Sequence, residues 1–117
     1  MRPPRGIVAV LLPLVLVACG GKDGGDAASV TIHTFQFAPD PITVSAGTTI
    51  TFENEDKINH SVTAGTRDAP SDDWAEGVLA DQGDSFELTL DEPGTYDYFC
   101  HFHPGEGMTG RIVVTAF

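Results

Sequence analysis

Residues able to do chemistry are concentrated near the C-terminus, where Cys100, His103 and Met108 follow one another as Cys-x2-His-x4-Met. A further imidazole, that of His60, lies upstream at the start of another β-like segment. Two imidazoles, one thiolate and a weak axial thioether form the soft ligand set of blue-copper electron-transfer sites. The residue types therefore indicate a copper site, in which the thioether and its apolar surroundings would tune the reduction potential.

The same residues allow other interpretations. Cys100 could be an inert buried thiol, which is the usual state of a lone cysteine, or could form a disulfide with Cys19. A structural zinc site needs four strong ligands, and the available ones are Cys100, His60, His103 and His101. A Cys–His nucleophile is conceivable, but no orienting Asn or Asp with an oxyanion hole is evident. Spacing alone leaves these alternatives open.

The elements that must position these residues are short β segments separated by turn signals, with no sustained helical period. Apolar and polar residues alternate in 48–53 and again in 85–90, a pattern typical of half-buried strands. Seven strands are predicted in all, at residues 30–37, 42–45, 48–53, 61–64, 85–90, 95–100 and 111–116. This density of short strands predicts an all-β fold, a Greek-key β-sandwich or barrel of about seven to eight strands. The polar segment 65–83 is either a loop or holds one helical turn.

Residues 94–111, with a Gly-x-Tyr-x-Tyr lead-in to Cys100, resemble the copper loop of the plastocyanin and pseudoazurin branch of the cupredoxins. Segments 37–39, 42–48, 52–56 and 60–63 resemble other parts of that family, so that the similarity extends over residues 30–117. The resemblance implies a β-sandwich that carries out one-electron transfer with a single type 1 copper. It also implies four copper ligands, which are His60, Cys100, His103 and Met108.

The resemblance further suggests which residues support the ligands. Many relatives have Asn directly after the first ligand histidine, where its side chain ties that loop to the cysteine loop. Here the position is Ser61, whose shorter hydroxyl can make one such bond. We therefore expect Ser61 and Asn59, the two neighbours of His60, to support the site without binding the metal.

Apolar residues beside the ligands are expected to form the electron-transfer surface. Phe99 has the strand parity opposite to Cys100 and should point outward. By resemblance it occupies the place of an aromatic used for remote electron entry, and the alternative is a solvent-facing aromatic that only covers the sheet. Phe102 and Pro104 flank His103, and by resemblance they form an apolar docking patch over its exposed edge. His101 has the wrong parity for a ligand and is expected at the surface.

The N-terminus indicates secretion and anchoring. Residues 1–18 are basic and then apolar, as in a signal peptide, and the apolar run is shorter than the ~20 residues that span a bilayer. Leu16-Val17-Ala18-Cys19 resembles the lipobox of bacterial lipoproteins, which implies a lipidated Cys19 and stable membrane anchoring. Residues 19–29 are predicted as a flexible Gly-rich tether and residues 30–117 as the folded domain. We expect a lipid-anchored, extracytoplasmic protein in the periplasm or at the cell surface of a bacterium.

The charge of the chain constrains its partners. The formal net charge is −11, and residues 30–117 carry three bases and fifteen acids, a net charge of −12. Such acidity argues against nucleic-acid binding, which needs basic side chains to displace counterions from phosphates. It fits a redox partner with a basic docking face, such as a cytochrome or a membrane electron-transfer complex. A saline habitat would explain it equally well.

Two functions remain compatible with the sequence. The first is a monomeric electron carrier between redox partners outside the cytoplasmic membrane. The second is a periplasmic copper-binding or delivery protein that uses the same ligands, although the chain lacks the Met-rich or His-rich extensions that delivery would favour. An enzyme such as a copper oxidase is not expected, because no second cluster of histidines is present to bind oxygen.

Overall fold

The computed structural model describes residues 26–116, so the predicted signal peptide and Cys19 lie outside the described residues. This part of the chain forms nine strands: β1 Ala27–His33, β2 Gln36–Ala38, β3 Ile42–Ser45, β4 Thr49–Asn54, β5 His60–Ala64, β6 Gly77–Leu79, β7 Ser85–Thr89, β8 Gly94–Phe99 and β9 Thr109–Thr115. A 3₁₀ turn, Pro104–Glu106, precedes β9. Between residues 26 and 116 no helix has the length and hydropathy needed to cross a membrane.

The strands form two sheets packed face to face. One sheet has the order β2-β1-β4-β7 and the other the order β3-β9-β8-β5-β6. The pairs β1–β4 and β3–β9 are parallel, whereas all the other pairs of strands are antiparallel. Alternate apolar residues of each strand are buried between the sheets, as the alternation in the sequence predicts. The predicted all-β Greek-key sandwich is confirmed, with nine strands between residues 26 and 116 instead of seven or eight.

Three local features differ from the sequence prediction. Strand β1 begins at Ala27, and residues 27–29 pair with 49–51 of β4, so that the predicted tether 19–29 is too long by three residues. The predicted strand 30–37 is interrupted by a turn at Thr34 and Phe35, whose φ angles of 54° and 60° are left-handed. Neither residue is the Gly or Asn that usually marks such a turn. Segment 65–83 contains a short strand, β6, which pairs with β5.

Tyr98 lies at the centre of the core and packs edge-on against two phenylalanines. Its ring centroid is 4.7 Å from that of Phe37 and 5.4 Å from that of Phe52. The ring also lies directly over Gly110 of β9, where an added Cβ would be 2.3 Å from a ring carbon, so only glycine fits there. Burial, together with the negative charge of Asp40, raises the pKa of the Tyr98 phenol. Within residues 26–116 its hydroxyl has no hydrogen-bond partner.

Removing the Tyr98 hydroxyl should stabilise the protein. A buried hydroxyl without a partner costs about 1–3 kcal/mol, so Tyr98→Phe should raise the free energy of unfolding of the apoprotein by about 1 kcal/mol in urea denaturation. The matched control is Tyr96→Phe, because the Tyr96 hydroxyl donates a 2.7 Å hydrogen bond to the Glu92 carbonyl. This control should lower the free energy of unfolding by about 1 kcal/mol.

The pH dependence gives a second readout of the same group. The folded state holds the Tyr98 proton more tightly than the unfolded chain, whose tyrosine pKa is about 10. Above that pH unfolding releases the proton, so stability falls as the pH rises, and Tyr98→Phe should reduce this fall. A Tyr98→Phe protein that is less stable than the wild type by 1 kcal/mol or more would contradict the assignment.

Candidate metal centre

Strand pairing brings the four predicted ligands to one end of the sandwich. His60 begins β5, Cys100 directly follows β8, and Met108 directly precedes β9. Strand β8 pairs antiparallel with both β5 and β9, so the start of β5, the end of β8 and the start of β9 lie at the same edge. The Cys100 amide donates a 3.1 Å hydrogen bond to the Met108 carbonyl, which closes the loop between β8 and β9. His103 lies within that loop.

The donor atoms converge on one point. Nδ1 of His60 lies 3.8 Å from Sγ of Cys100, and one donor atom from each of His60, Cys100 and His103 lies within 4.8 Å of the others. Nitrogen and sulfur donors bonded to one metal at about 2.0–2.3 Å and at trigonal angles would be about 3.8 Å apart. His60 and Cys100 are fully buried and Met108 is 1% exposed, while His103 is half-buried. The separations therefore fit one small metal ion.

The identity and burial of the donors favour copper over the alternatives. Cys100 is a free, buried thiol in the described structure. His101, the fourth strong ligand that zinc would need, is exposed as expected and contacts the Glu76 carboxylate through Nδ1. The remaining set is two imidazoles, one thiolate and a thioether, which suits a type 1 copper site and lacks the fourth strong donor of structural zinc.

Asp56 orients the first histidine. Its carboxylate accepts a 2.8 Å hydrogen bond from Nε2 of His60, which leaves Nδ1 facing Cys100. It also accepts hydrogen bonds from the amides of Thr34 at 2.8 Å and Phe35 at 3.2 Å. Burial alone would raise the pKa of Asp56, but these hydrogen bonds and the His60 ring hold that pKa below its usual value. One carboxylate therefore fixes both the ring of His60 and the left-handed turn between β1 and β2.

Phe35 covers both histidines. Its ring meets those of His60 and His103 edge-on, with centroids 6.0 and 5.3 Å away, and the two imidazoles are themselves 5.0 Å apart. The ring is half-buried and packs against the hydrophobic core. Phe35 therefore shields the ligand rings from water, a contribution that the sequence prediction missed.

The second histidine is held through the backbone. Nε2 of His103 donates a 2.6 Å hydrogen bond to the Asn59 carbonyl, so its Nδ1 is the atom left for the metal. Asn59 thus supports the site through its carbonyl oxygen. After His103 the chain turns through Pro104–Glu106 and reaches Gly107, whose left-handed φ of 63° returns the chain towards Met108.

Ser61 ties the first ligand strand to the cysteine loop. Its hydroxyl accepts a 3.0 Å hydrogen bond from the His101 amide and lies 2.8 Å from the Thr63 hydroxyl. The Glu76 carboxylate accepts from Thr63 and contacts His101, completing a polar network across three segments. Burial alone would raise the pKa of Glu76, but these two partners lower it. The single bond expected of Ser61 is present and belongs to a larger network.

The expected surface position of Phe99 is wrong. Phe99 lies on the opposite face of β8 from Tyr98, as its parity predicts, but it is only 3% exposed. The Arg67 side chain lies over the Phe99 ring, with its guanidinium carbon 5.1 Å from the ring centroid. The two residues of the expected docking patch both reach the surface beside His103, since Phe102 is half-buried and Pro104 is exposed.

Sequence reasoning missed three supporting residues for different reasons. Asp56 lies in a loop four residues before His60. An acidic residue so close to a candidate histidine ligand is a signal that could have identified Asp56 as its partner. Phe35 lies in a turn that lacks the usual Gly or Asn, and Arg67 reaches the site from the segment 65–83, which had no predicted structure. For these two residues the sequence contains no recognisable signal.

The fold and the donor set define a cupredoxin, a small β-sandwich with one mononuclear copper site. The sequence model of the family described as copper binding proteins, plastocyanin/azurin family, matches residues 26–115, and the chain belongs to this family. Among related sequences, plastocyanin A/B of Petroselinum crispum is 34% identical over 103 residues, which span 84% of this chain and 97% of that protein. Plastocyanin of Vicia faba is 35% identical over 107 residues, with 86% and 99% covered.

Solved structures show the same fold. A purple cupredoxin from Nitrosopumilus maritimus superposes with a TM-score of 0.66 at 26% identity, covering 75% of this chain and 99% of that one. An oxidised amicyanin variant gives a TM-score of 0.62 at 28% identity, with 74% and 80% covered. Together with the cluster of His60, Cys100 and His103, these similarities support a single type 1 copper site.

Replacing Asp56 should loosen the site and the turn that it caps. Asp56→Ala removes the partner of His60 Nε2 and of two backbone amides, so the apoprotein should lose about 2 kcal/mol of unfolding free energy. The affinity for copper should fall about 10–100-fold, as when the partner of a ligating histidine is lost. Chemical denaturation and competitive copper titration measure the two effects.

Glu87→Ala is the control, because Glu87 is an exposed acid on β7 whose loss removes the same charge. It should change the free energy of unfolding by less than about 0.5 kcal/mol. If Asp56→Ala behaved like this control in both measurements, Asp56 would have no special part in the site.

Proposed function

We propose that this protein is a mononuclear type 1 copper protein that carries single electrons between redox partners outside the cytoplasmic membrane. The observation that carries the proposal is the buried cluster of His60, Cys100 and His103, whose donor atoms lie within 4.8 Å of one another on a rigid sandwich. Bound copper would supply a centre that cycles between two oxidation states and so carries one electron. Met108 would supply the fourth, weaker thioether donor.

The protein's own residues favour rapid electron transfer. His60 is fixed by Asp56, His103 by the Asn59 carbonyl, and the Cys100 amide by the Met108 carbonyl. Because these bonds hold the donors in place through the fold, the ligands need to move little when the charge of the site changes. Phe35 and the surrounding core exclude water, which limits solvent reorganisation.

Electrons would enter and leave at the His103 end. His103 is the half-buried ligand, and Phe102 and Pro104 next to it reach the surface, whereas His60 and Cys100 are fully buried. The deep burial of the Cys100 thiol also favours a permanently bound copper ion over copper delivery. A delivered ion must be transferred to ligands of a partner protein, and those ligands cannot easily reach a buried site. Delivery remains the second function to be separated by experiment.

The charge of the domain supports a partner with a basic docking face, such as a cytochrome or a membrane electron-transfer complex. Residues 30–117 have a net charge of −12, which would steer a basic partner into an encounter complex. Adaptation to a saline habitat is the alternative. The association rate with the partner separates the two explanations, because it falls with rising ionic strength only when charge steers the encounter.

Copper binding should be visible directly. Cu(II) added to the purified protein should produce an intense visible charge-transfer band that a mild reductant bleaches reversibly. Cys100→Ser should abolish the band, because the thiolate is the charge donor, whereas Met108→Gln should keep a coloured site with a changed potential. A colourless complex of the wild type, or full colour in Cys100→Ser, would overturn the ligand assignment. A coloured copper complex that rapidly transfers its copper ion to an acceptor protein would support the delivery function over the electron-carrier function.

The membrane location rests on the lipobox-like sequence ending at Cys19, and a lipid anchor there would keep the domain at the outer side of the membrane. Cys19→Ala should move the protein from the membrane fraction to the soluble fraction after cell lysis. Cys100→Ser, which removes the other cysteine, is the control and should leave the fractionation unchanged. Continued membrane association of Cys19→Ala would refute lipidation at this residue.

A further inference from the structure

Arg67 contacts the copper-ligand loop from outside the ligand set. One of its terminal nitrogens donates a 2.8 Å hydrogen bond to the carbonyl oxygen of Cys100. The same guanidinium lies over the Phe99 ring, with its central carbon 5.1 Å from the ring centroid. The side chain is half-buried, and Phe99 beneath it is 3% exposed. Arg67 therefore touches both the residue that supplies the thiolate and the residue before it.

The loop that carries Arg67 is fixed on both sides. The Gly65 amide donates a 2.8 Å hydrogen bond to the Asp97 carbonyl of β8, and the Ser71 amide donates one of 2.9 Å to the Ala64 carbonyl of β5. Gly65 has a φ of +95°, and an added Cβ there would lie 2.4 Å from the Ser71 amide nitrogen, so the turn requires glycine. Between these anchors Thr66 and Ala69 exchange backbone hydrogen bonds. The position of Arg67 over the cysteine is therefore set by backbone geometry.

The charge of Arg67 is unusual in this chain. Residues 30–117 contain only two other bases, Lys57 and Arg111, against fifteen acids. The Arg111 guanidinium forms a 2.8 Å ion pair with Asp97 and is 56% exposed. Among residues 26–116, no ion pair joins Arg67 to a carboxylate. An arginine remains protonated at any physiological pH, so a positive charge that has no ion-pair partner among the described residues is held against the cysteine ligand.

A fixed positive charge next to a redox site favours the reduced form. One electron accepted by the site lowers its net charge by one, and a nearby cation stabilises the more negative state. Partial burial of Arg67 weakens screening by solvent. We propose that Arg67 is a positioning residue that raises the reduction potential of the copper site and holds the Cys100 loop through its carbonyl. The inference rests on the proposed electron-carrier function and assigns to it a residue that determines the potential.

Covering Phe99 has a second consequence. With the Arg67 guanidinium over the ring, a partner cannot contact Phe99 unless this side chain moves. This contact favours electron exchange at the surface formed by Phe102 and Pro104.

The test is the reduction potential of the copper-loaded full-length protein in detergent, measured by spectroelectrochemical titration with a one-electron mediator. Arg67→Gln should lower the equilibrium constant for reduction about tenfold, which is about 59 mV for a one-electron couple. Arg67→Met, which keeps an unbranched side chain over Phe99, should give the same decrease. Arg67→Lys, which keeps the charge, should stay within about threefold of the wild type. Arg111→Gln removes an equal charge from an exposed ion pair and should change the constant less than about twofold.

The outcomes separate charge from structure and the inference from the function. If Arg67→Gln and Arg67→Met leave the reduction potential unchanged, the inference is overturned. It is also overturned if Arg67→Lys lowers the potential as much as they do, because the effect would then depend on the planar guanidinium and not on the charge. If Arg111→Gln lowers the potential as much as Arg67→Gln, the effect is one of net charge and the inference is also overturned. If the wild type shows no reversible copper couple, the proposed function itself fails.

Discussion

The pairing of β8 with β5 on one side and with β9 on the other is the constraint on which the site depends. This arrangement places the start of β5, the end of β8 and the start of β9 at one edge of the sheet. His60, Cys100 and Met108 occupy those three strand ends, so their proximity follows from the backbone ladder. The strand ladder therefore holds the donors close together, with His60 Nδ1 3.8 Å from Cys100 Sγ. Such preorganisation allows a metal ion to change its charge while its ligands stay in place.

A set of hydrogen bonds around the ligands fixes their rings relative to the sheets. The Asp56 carboxylate accepts a hydrogen bond from Nε2 of His60, and the Asn59 carbonyl accepts one from Nε2 of His103. Each bond leaves Nδ1 of that ring as the atom for the metal. Ser61 accepts from the His101 amide and joins the strand of the first histidine to the loop of the cysteine. Arg67 adds a cation at the Cys100 carbonyl. The ligand set determines which metal fits, whereas we expect these contacts to determine the affinity for the metal and its reduction potential.

The fold class could be predicted from the sequence because alternation marks the strands. Cys-x2-His-x4-Met lies within a single loop and indicated three candidate ligands, whereas the full set with His60 was implied by the family resemblance. Contacts made by turns could not be predicted in this way. Phe35 reaches the histidines through a left-handed turn without Gly or Asn, and Arg67 lies in a loop whose path depends on pairing with Asp97 and Ala64. For the same reason the parity of Phe99 was correct but its exposure was not, since a residue distant in sequence covers it.

We infer that the fold presents two imidazoles and one thiolate to a single copper ion in a geometry that hardly changes on electron transfer. X-ray absorption spectroscopy of the copper-loaded protein in both oxidation states measures that geometry. We expect one short copper–sulfur bond and two copper–nitrogen bonds in each state, with only small changes in length between them. A copper shell without the short sulfur bond, or a ligand lost on reduction, would contradict it.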